Sequence, residues 1–177
     1  MHPFLEEITA DLARIRAELS EIVAGTPAAK FDHKPRNGGW TGTGIIQHLG
    51  TVEGMATKRL EGLFQQALAD GIAAEKGTVH WLHSLDHFNV LDRSKKIVAP
   101  ERAIPPADAQ LGPAWASLQA VRERLLRAVA TVDGRDLTTV SAPHPIFGAL
   151  NGYQWILMVG RHEERHLSQL RETLSEA

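Results

Sequence analysis

Apolar residues recur at three- and four-residue intervals in four stretches of this chain, and each stretch predicts an amphipathic helix. The first runs roughly from Pro3 to Val23, with Phe4, Leu5, Ile8, Leu12, Ile15, Leu19 and Ile22 on one stripe and Gly25 as its stop. The second runs roughly from Thr43 to Asp70 on Ile45, Leu49, Val52, Ala56, Leu60, Leu63 and Ala67, and Gly71 ends it. The third, roughly Asp108 to Val132, carries Leu111, Trp115, Leu118, Val121, Leu125 and Val129. The fourth, roughly Asn151 to Leu174, has Asn151 as its N-cap.

No stretch alternates apolar and polar residues with a period of two. "KKIVAP" is short and ends in proline, which reads as extended loop. The pattern predicts an all-α fold: one domain over residues 1–177, a four-helix bundle with long connecting loops. "TVHWLHSLDHFNVL", residues 78–91, reads as one short extra helix. The connections around residues 24–43, 97–106 and 133–150 exceed what a minimal bundle needs, and their aromatic residues and prolines suit ordered loops capping one end.

Composition narrows the function. Hydrophobic residues make up 43% and charged residues 23% of 177, ordinary for a globular chain. A net charge of −2 with dispersed Lys and Arg gives no footprint for nucleic acid or an anionic membrane. The longest apolar run, "YQWILMVG", is too short to span a bilayer, and the acidic, amphipathic N-terminus lacks the build of a signal peptide. The absence of cysteine excludes disulfides and thiolate metal sites and suits a cytoplasmic location.

Nine histidines are the compositional oddity, because histidine is the commonest metal ligand. "HEERH", residues 162–166, fits the His-Glu-x-x-His pattern of zinc peptidases. Residues four apart on a helix lie about 40° apart around the axis and about 6 Å along it, so His162 and His166 share a face. Trp155, Val159 and Leu170 lie near the same line, which turns the pair toward the bundle interior. The peptidase reading fails: those enzymes take a third ligand from downstream, and here Glu172 turns away while Glu176 sits at the chain end.

A third ligand must therefore come from upstream. His48, on the flank of the second helix's apolar stripe, is the best candidate. The cluster His80, His83 and His87 competes for that place, with pocket-lining or solvated histidines as its plainer reading. His83 and His87 are taken as pocket residues. His2, His33 and His144 read as surface. Glu163 is a candidate general base, with a surface ion pair to Arg59 or Arg165 as the alternative. Trp40, just before the second helix, is placed to cap the site.

The stretch "HPIFGALNGYQWILMVGRHEERHLSQL" resembles the C-terminal motif of the DinB/YfiT-like superfamily, in Gly148, Trp155, His162, His166 and Gln169. "GWTGTGIIQHL" is similar to its other motif, a Trp followed by a helix bearing His-Leu, and "SKKIVAPERAIPP" looks like the loop before its third helix. The similarity covers most of the chain in order. It implies a four-helix bundle with His48, His162 and His166 as ligands of a divalent metal ion, zinc or nickel, and often a homodimer. It also implies a small-molecule substrate, with low-molecular-weight thiols used by some relatives.

The resulting expectation is a metal-dependent S-transferase acting on a small electrophile. Metal-dependent hydrolysis is the alternative within enzymes. A non-catalytic metal- or ligand-binding, stress-associated protein is the alternative outside them. A fourth protein ligand closing the coordination sphere would favour the latter.

Overall fold

Four long helices form where the apolar stripes predict them, with no end shifted by more than three residues. The computed structural model describes every residue except Asn37, Val79 and Lys96. Helix α1 spans Pro3–Gly25, a short α2 spans Ala28–Phe31, α3 spans Gly42–Ala69, α4 spans Leu111–Ala130 and α5 spans Gly152–Ser175. The starts are built by local chemistry. Thr41 caps α3 by accepting from the Gly44 amide, and Asn151 and Gln154 form a reciprocal capping box on α5. Pro3 opens α1 and Pro113 lies in the first turn of α4, positions where a missing N–H breaks no helical bond.

Two segments depart from expectation. The 78–91 stretch, apart from Val79, which lies outside the described residues, is a run of turns with a single 3-10 turn at Asp86–Phe88. There His83 Nδ1 bonds Asp86 at 2.9 Å and Asn89 takes a left-handed conformation, local arrangements that compete with a continuous helix. The short extra helix is instead α2, whose Phe31 is fully buried. Residues 133–150 contain an antiparallel hairpin, β1 (Ser141–His144) paired with β2 (Gly148–Asn151), with Gly148 left-handed after a three-residue loop. Four-residue strands holding Pro143 are too short to show a period of two. The expected extended loop at 95–100 is non-helical in its described residues, and Lys96 lies outside them.

Helix α3 packs on α4 and α5, and α1 packs on α5. Gly160 lets α1 close on α5, since a Cβ there would sit 3.0 Å from Leu12. The apolar interior divides into two clusters. One gathers Phe4, Ile8, Leu60, Phe64, Leu125 and Ile156 with their neighbours; the other gathers Leu19, Phe31, Ile45, Leu118, Leu167 and Leu170 with theirs. Between them lie four buried charges, one from each long helix: Arg16, Glu53, Arg122 and Glu163. Among the described residues, no helix is long and apolar enough to cross a membrane.

Candidate metal centre and cavity

His48 on α3 and His162 and His166 on α5 come together where those helices face each other. One ring nitrogen from each lies within 4.8 Å of the others. His48 Nε2 is 3.3 Å from His162 Nε2. Two nitrogens bound at 2.0–2.1 Å to one tetrahedral ion are about 3.3–3.4 Å apart, so this separation fits a shared cation. Among the described residues this is the one group of three or more such side chains able to hold an ion.

The rings are oriented from behind. His48 Nδ1 lies 2.7 Å from the carbonyl oxygen of Ala103. A carbonyl only accepts, so the proton is on Nδ1 and the Nε2 lone pair faces its neighbours. His166 Nδ1 is held at 2.8 Å by Gln169 Oε1, with the same consequence. Such outer partners fix tautomer and ring orientation in metal sites. The Ala103 carbonyl is in place because residues 101–103 form a 3-10 turn closed by the Ala103 amide on Pro100.

The three imidazoles are neutral at neutral pH, the form that ligates metal. Burial lowers the pKa of His48. Burial, and then the charges of His166 and His48, push His162 well below its usual range. Burial first, with the charge of His48 behind it, brings His166 down to about 4, although Gln169 opposes the shift.

The histidines form part of the wall of a cavity of about 890 Å³. Trp40 lies over them, its ring 4.6 Å from His48 and near-parallel to His166 at 6.3 Å. His83 and His87 do not line this cavity. Both are exposed on the 78–91 turns, where His83 pairs with Asp86 and His87 packs on Phe88. His80 likewise bonds Glu7 at the surface. Their place is taken by His144, read from sequence as a surface residue. It is half-buried in the hairpin, lines the cavity, and stacks on Phe147 and against Trp155. Its neighbours Pro143 and Phe147 give a signal for an ordered loop but none for the direction of the ring.

Glu163 does not pair at the surface with Arg59 or Arg165. It is 1% exposed, with Oε1 accepting from Arg16 Nε at 2.6 Å and Oε2 from both Arg16 and Arg122. Glu53 accepts from the same two guanidiniums. Arg16 also donates to the Leu118 carbonyl of α4, and Arg122 to the Leu12 carbonyl of α1. Each arginine thus spans to the other's helix, and both carboxylates have both oxygens engaged. Sequence reasoning missed this layer, yet each member sits four residues after a buried apolar one: Leu12, Leu49, Leu118 and Val159.

The sequence profile of the DinB superfamily matches residues 11–170. The chain is 31% identical over 158 residues to uncharacterized protein YuaE of Bacillus subtilis (strain 168), covering 89% of this chain and 91% of that protein. It also resembles the crystal structure of TT2238, a four-helix bundle protein, with a TM-score of 0.64 and 23% identity over 94% of this chain and 98% of that one, a likeness of fold. The chain belongs to the DinB superfamily.

Proposed function

Within that superfamily, we propose that this protein is a metal-dependent enzyme for small molecules, with His48, His162 and His166 as the ligands of one divalent cation. The observation that carries the reading is the convergence of three neutral imidazoles, two of them pre-oriented from behind, on the wall of a large cavity. Three protein nitrogens with no fourth ligand among the described residues match the catalytic pattern, in which a position stays open for water or substrate. A closed four-ligand structural site does not fit.

Zinc or nickel suits an all-imidazole donor set, and copper or iron is matched no worse by ligand type. When bound, such an ion lowers the pKa of a thiol or water placed beside it, giving a nucleophile near neutral pH. We favour a low-molecular-weight thiol as cosubstrate, which makes the reaction an S-transfer to a small electrophile. Trp40 shields the histidines on one side, and Met55, Ala56 and Phe147 supply apolar cavity wall. Ala103 and Gln169 keep the ring protons on Nδ1.

Glu163 serves this scheme as a positioning residue. Its oxygens already accept from two guanidiniums, so it fixes the turn of α5 that bears His162 and does not act as the base that the motif suggests. The reading as one self-contained domain, in a cytoplasmic homodimer, goes with this proposal.

The test is elemental analysis of purified, untagged protein beside His48→Ala. Near-stoichiometric metal in the parent and its loss in the variant are expected, followed by thiol consumption with electrophilic probes in the parent alone. A parent that takes up no ion even after reconstitution sinks the proposal.

A further inference from the structure

The cavity has a second polar end. Its α3 wall runs from His48 to Arg59 and its α5 wall from His166 back to Trp155. Each span is 11 residues, about 16 Å along a helix. Between the ends Val52, Met55, Ala56, Met158 and Val159 give the wall its apolar surface, interrupted by the paired carboxylates of Glu53 and Glu163.

At the far end the guanidinium of Arg59 lies 5.4 Å from the centre of the Trp155 ring. Arg59 is exposed, lines the cavity and, among the described residues, makes one long bond, 3.4 Å, to the Pro143 carbonyl. Most of its five N–H donors are therefore available. The His144 ring packs on the same tryptophan at 5.1 Å. Its Nδ1 accepts from the amides of Ile146 and Phe147, at 3.2 and 3.3 Å. The proton of the neutral ring is then on Nε2, a donor for which no partner is found among the described residues. Burial and the positive charge of Arg59 both hold His144 neutral.

Among the described residues no available carboxylate opposes an anion here: Glu53 and Glu163 are the two acidic residues that line the cavity, and both are filled by Arg16 and Arg122. Of the other arginines that line the cavity, Arg93 pairs with Glu172 and Arg165 donates to the carbonyls of Val90, Asp92 and Lys95, while Arg102 sits on the 3-10 turn whose Ala103 carbonyl holds His48, at the histidine end.

We propose that Arg59 and the Nε2–H of His144, both seated on Trp155, form an anion subsite that takes the carboxylate of an elongated, apolar-bodied ligand whose other end reaches His48, His162 and His166. The ligand class rests on the functional reading above. The subsite itself rests on Arg59, His144 and Trp155 alone. A guanidinium with free donors suits a carboxylate, and a low-dielectric wall strengthens the pairing.

The probes are hexanoate, 1-hexanol and hexylamine, titrated calorimetrically into the full-length protein after chelation, when a carboxylate has no ion to bind. Hexanoate is expected to bind at least about 10-fold tighter than hexanol, as a charged hydrogen bond of ordinary strength gives, and hexylamine more weakly than either. Arg59→Gln removes the preference, Arg59→Lys restores part of it, and His144→Ala weakens hexanoate about 10-fold, the scale of a hydrogen bond to a charged group. Hexanoate binding no tighter than hexanol, or unchanged in Arg59→Gln, overturns the proposal. Since Arg59 is exposed, the variant is expected to keep the parent's melting temperature. If it does not, Arg59→Lys decides. Metal content of the parent before chelation separates the two readings: a parent that takes up metal but shows no carboxylate preference overturns the subsite alone, and a parent that prefers the carboxylate but takes up no metal overturns the functional reading alone.

Discussion

Two polar clusters lie within the helical bundle, close together and built by the same device. In each, long helices bring polar side chains from their inner faces to a common point. The charged layer holds two arginines and two glutamates, and its four carboxylate oxygens are all engaged by guanidiniums. The imidazole cluster holds three rings whose outer nitrogens are tied for His48 and His166 and whose inner nitrogens face one another. The first is closed, with charge balanced and donors matched to acceptors. The second is left with lone pairs that only a proton donor or a cation can satisfy. Buried polar groups require partners, and since His162 Nε2 could donate one N–H to at most one of the two facing lone pairs, the cluster points to a ligand. That contrast assigns bracing to one and chemistry to the other, although Glu163 and His162 are adjacent in sequence.

The comparison breaks most visibly at Glu163. Glu163→Ala leaves Arg16 and Arg122 with Glu53 as their one remaining carboxylate. Breaking a buried pair from one side costs about 3–5 kcal/mol, and that loss is expected in urea unfolding monitored by circular dichroism. Metal affinity of the folded variant should fall as well, because the turn that bears His162 loses its anchor. A variant with parental stability and no turnover would reverse the assignment and make Glu163 the base.

A smaller effect is expected behind the histidines. Gln169→Ala removes the acceptor that fixes His166 without touching a nitrogen facing the other rings. Outer partners of ligating histidines are worth about 10- to 100-fold in metal affinity. A competition titration against a chromogenic chelator should show a drop of that size, with folding unaffected. An unchanged affinity would mean that packing alone orients His166.

The bundle was legible because four stripes of buried Leu, Ile, Val and Phe carry a helical period over 20 residues or more. His162 and His166 were legible because their spacing is set by one helix. His48 joined them through a second stripe and a resemblance. What stayed hidden depends on contacts between distant segments. Arg16, Glu53 and Arg122 read as ordinary polar flanks of a stripe and Glu163 as a general base or a surface ion pair, and nothing within one helix says that the four meet in one layer. His144 was hidden for the opposite reason. A four-residue strand offers no period, so the direction of its ring is fixed only when Trp155 Nε1 bonds the Ala142 carbonyl and pins the hairpin to α5. His83 and His87 misled because helical spacing was assumed for a segment whose Asp86 and Asn89 favour turns.

Acid sharpens the difference between the two clusters. His48, His162, His166 and His144 all have lowered pKa values in the fold, with His166 at about 4, and burial is the first cause for each. In the unfolded chain a histidine titrates near 6.5. Between these values the unfolded state binds more protons than the folded one, so the stability of the chelated protein must fall as the pH drops below 6.5 toward 4. From pH 6.5 to 5.5 ordinary carboxylates remain ionised, and the histidines carry the slope. Thermal melts of chelated parent and His166→Gln across that interval should show a shallower decline in the variant, which has lost one of the four contributors. Equal slopes would mean that His166 titrates normally in the folded protein, and that water reaches the histidine end far more freely than its packing against Trp40 allows.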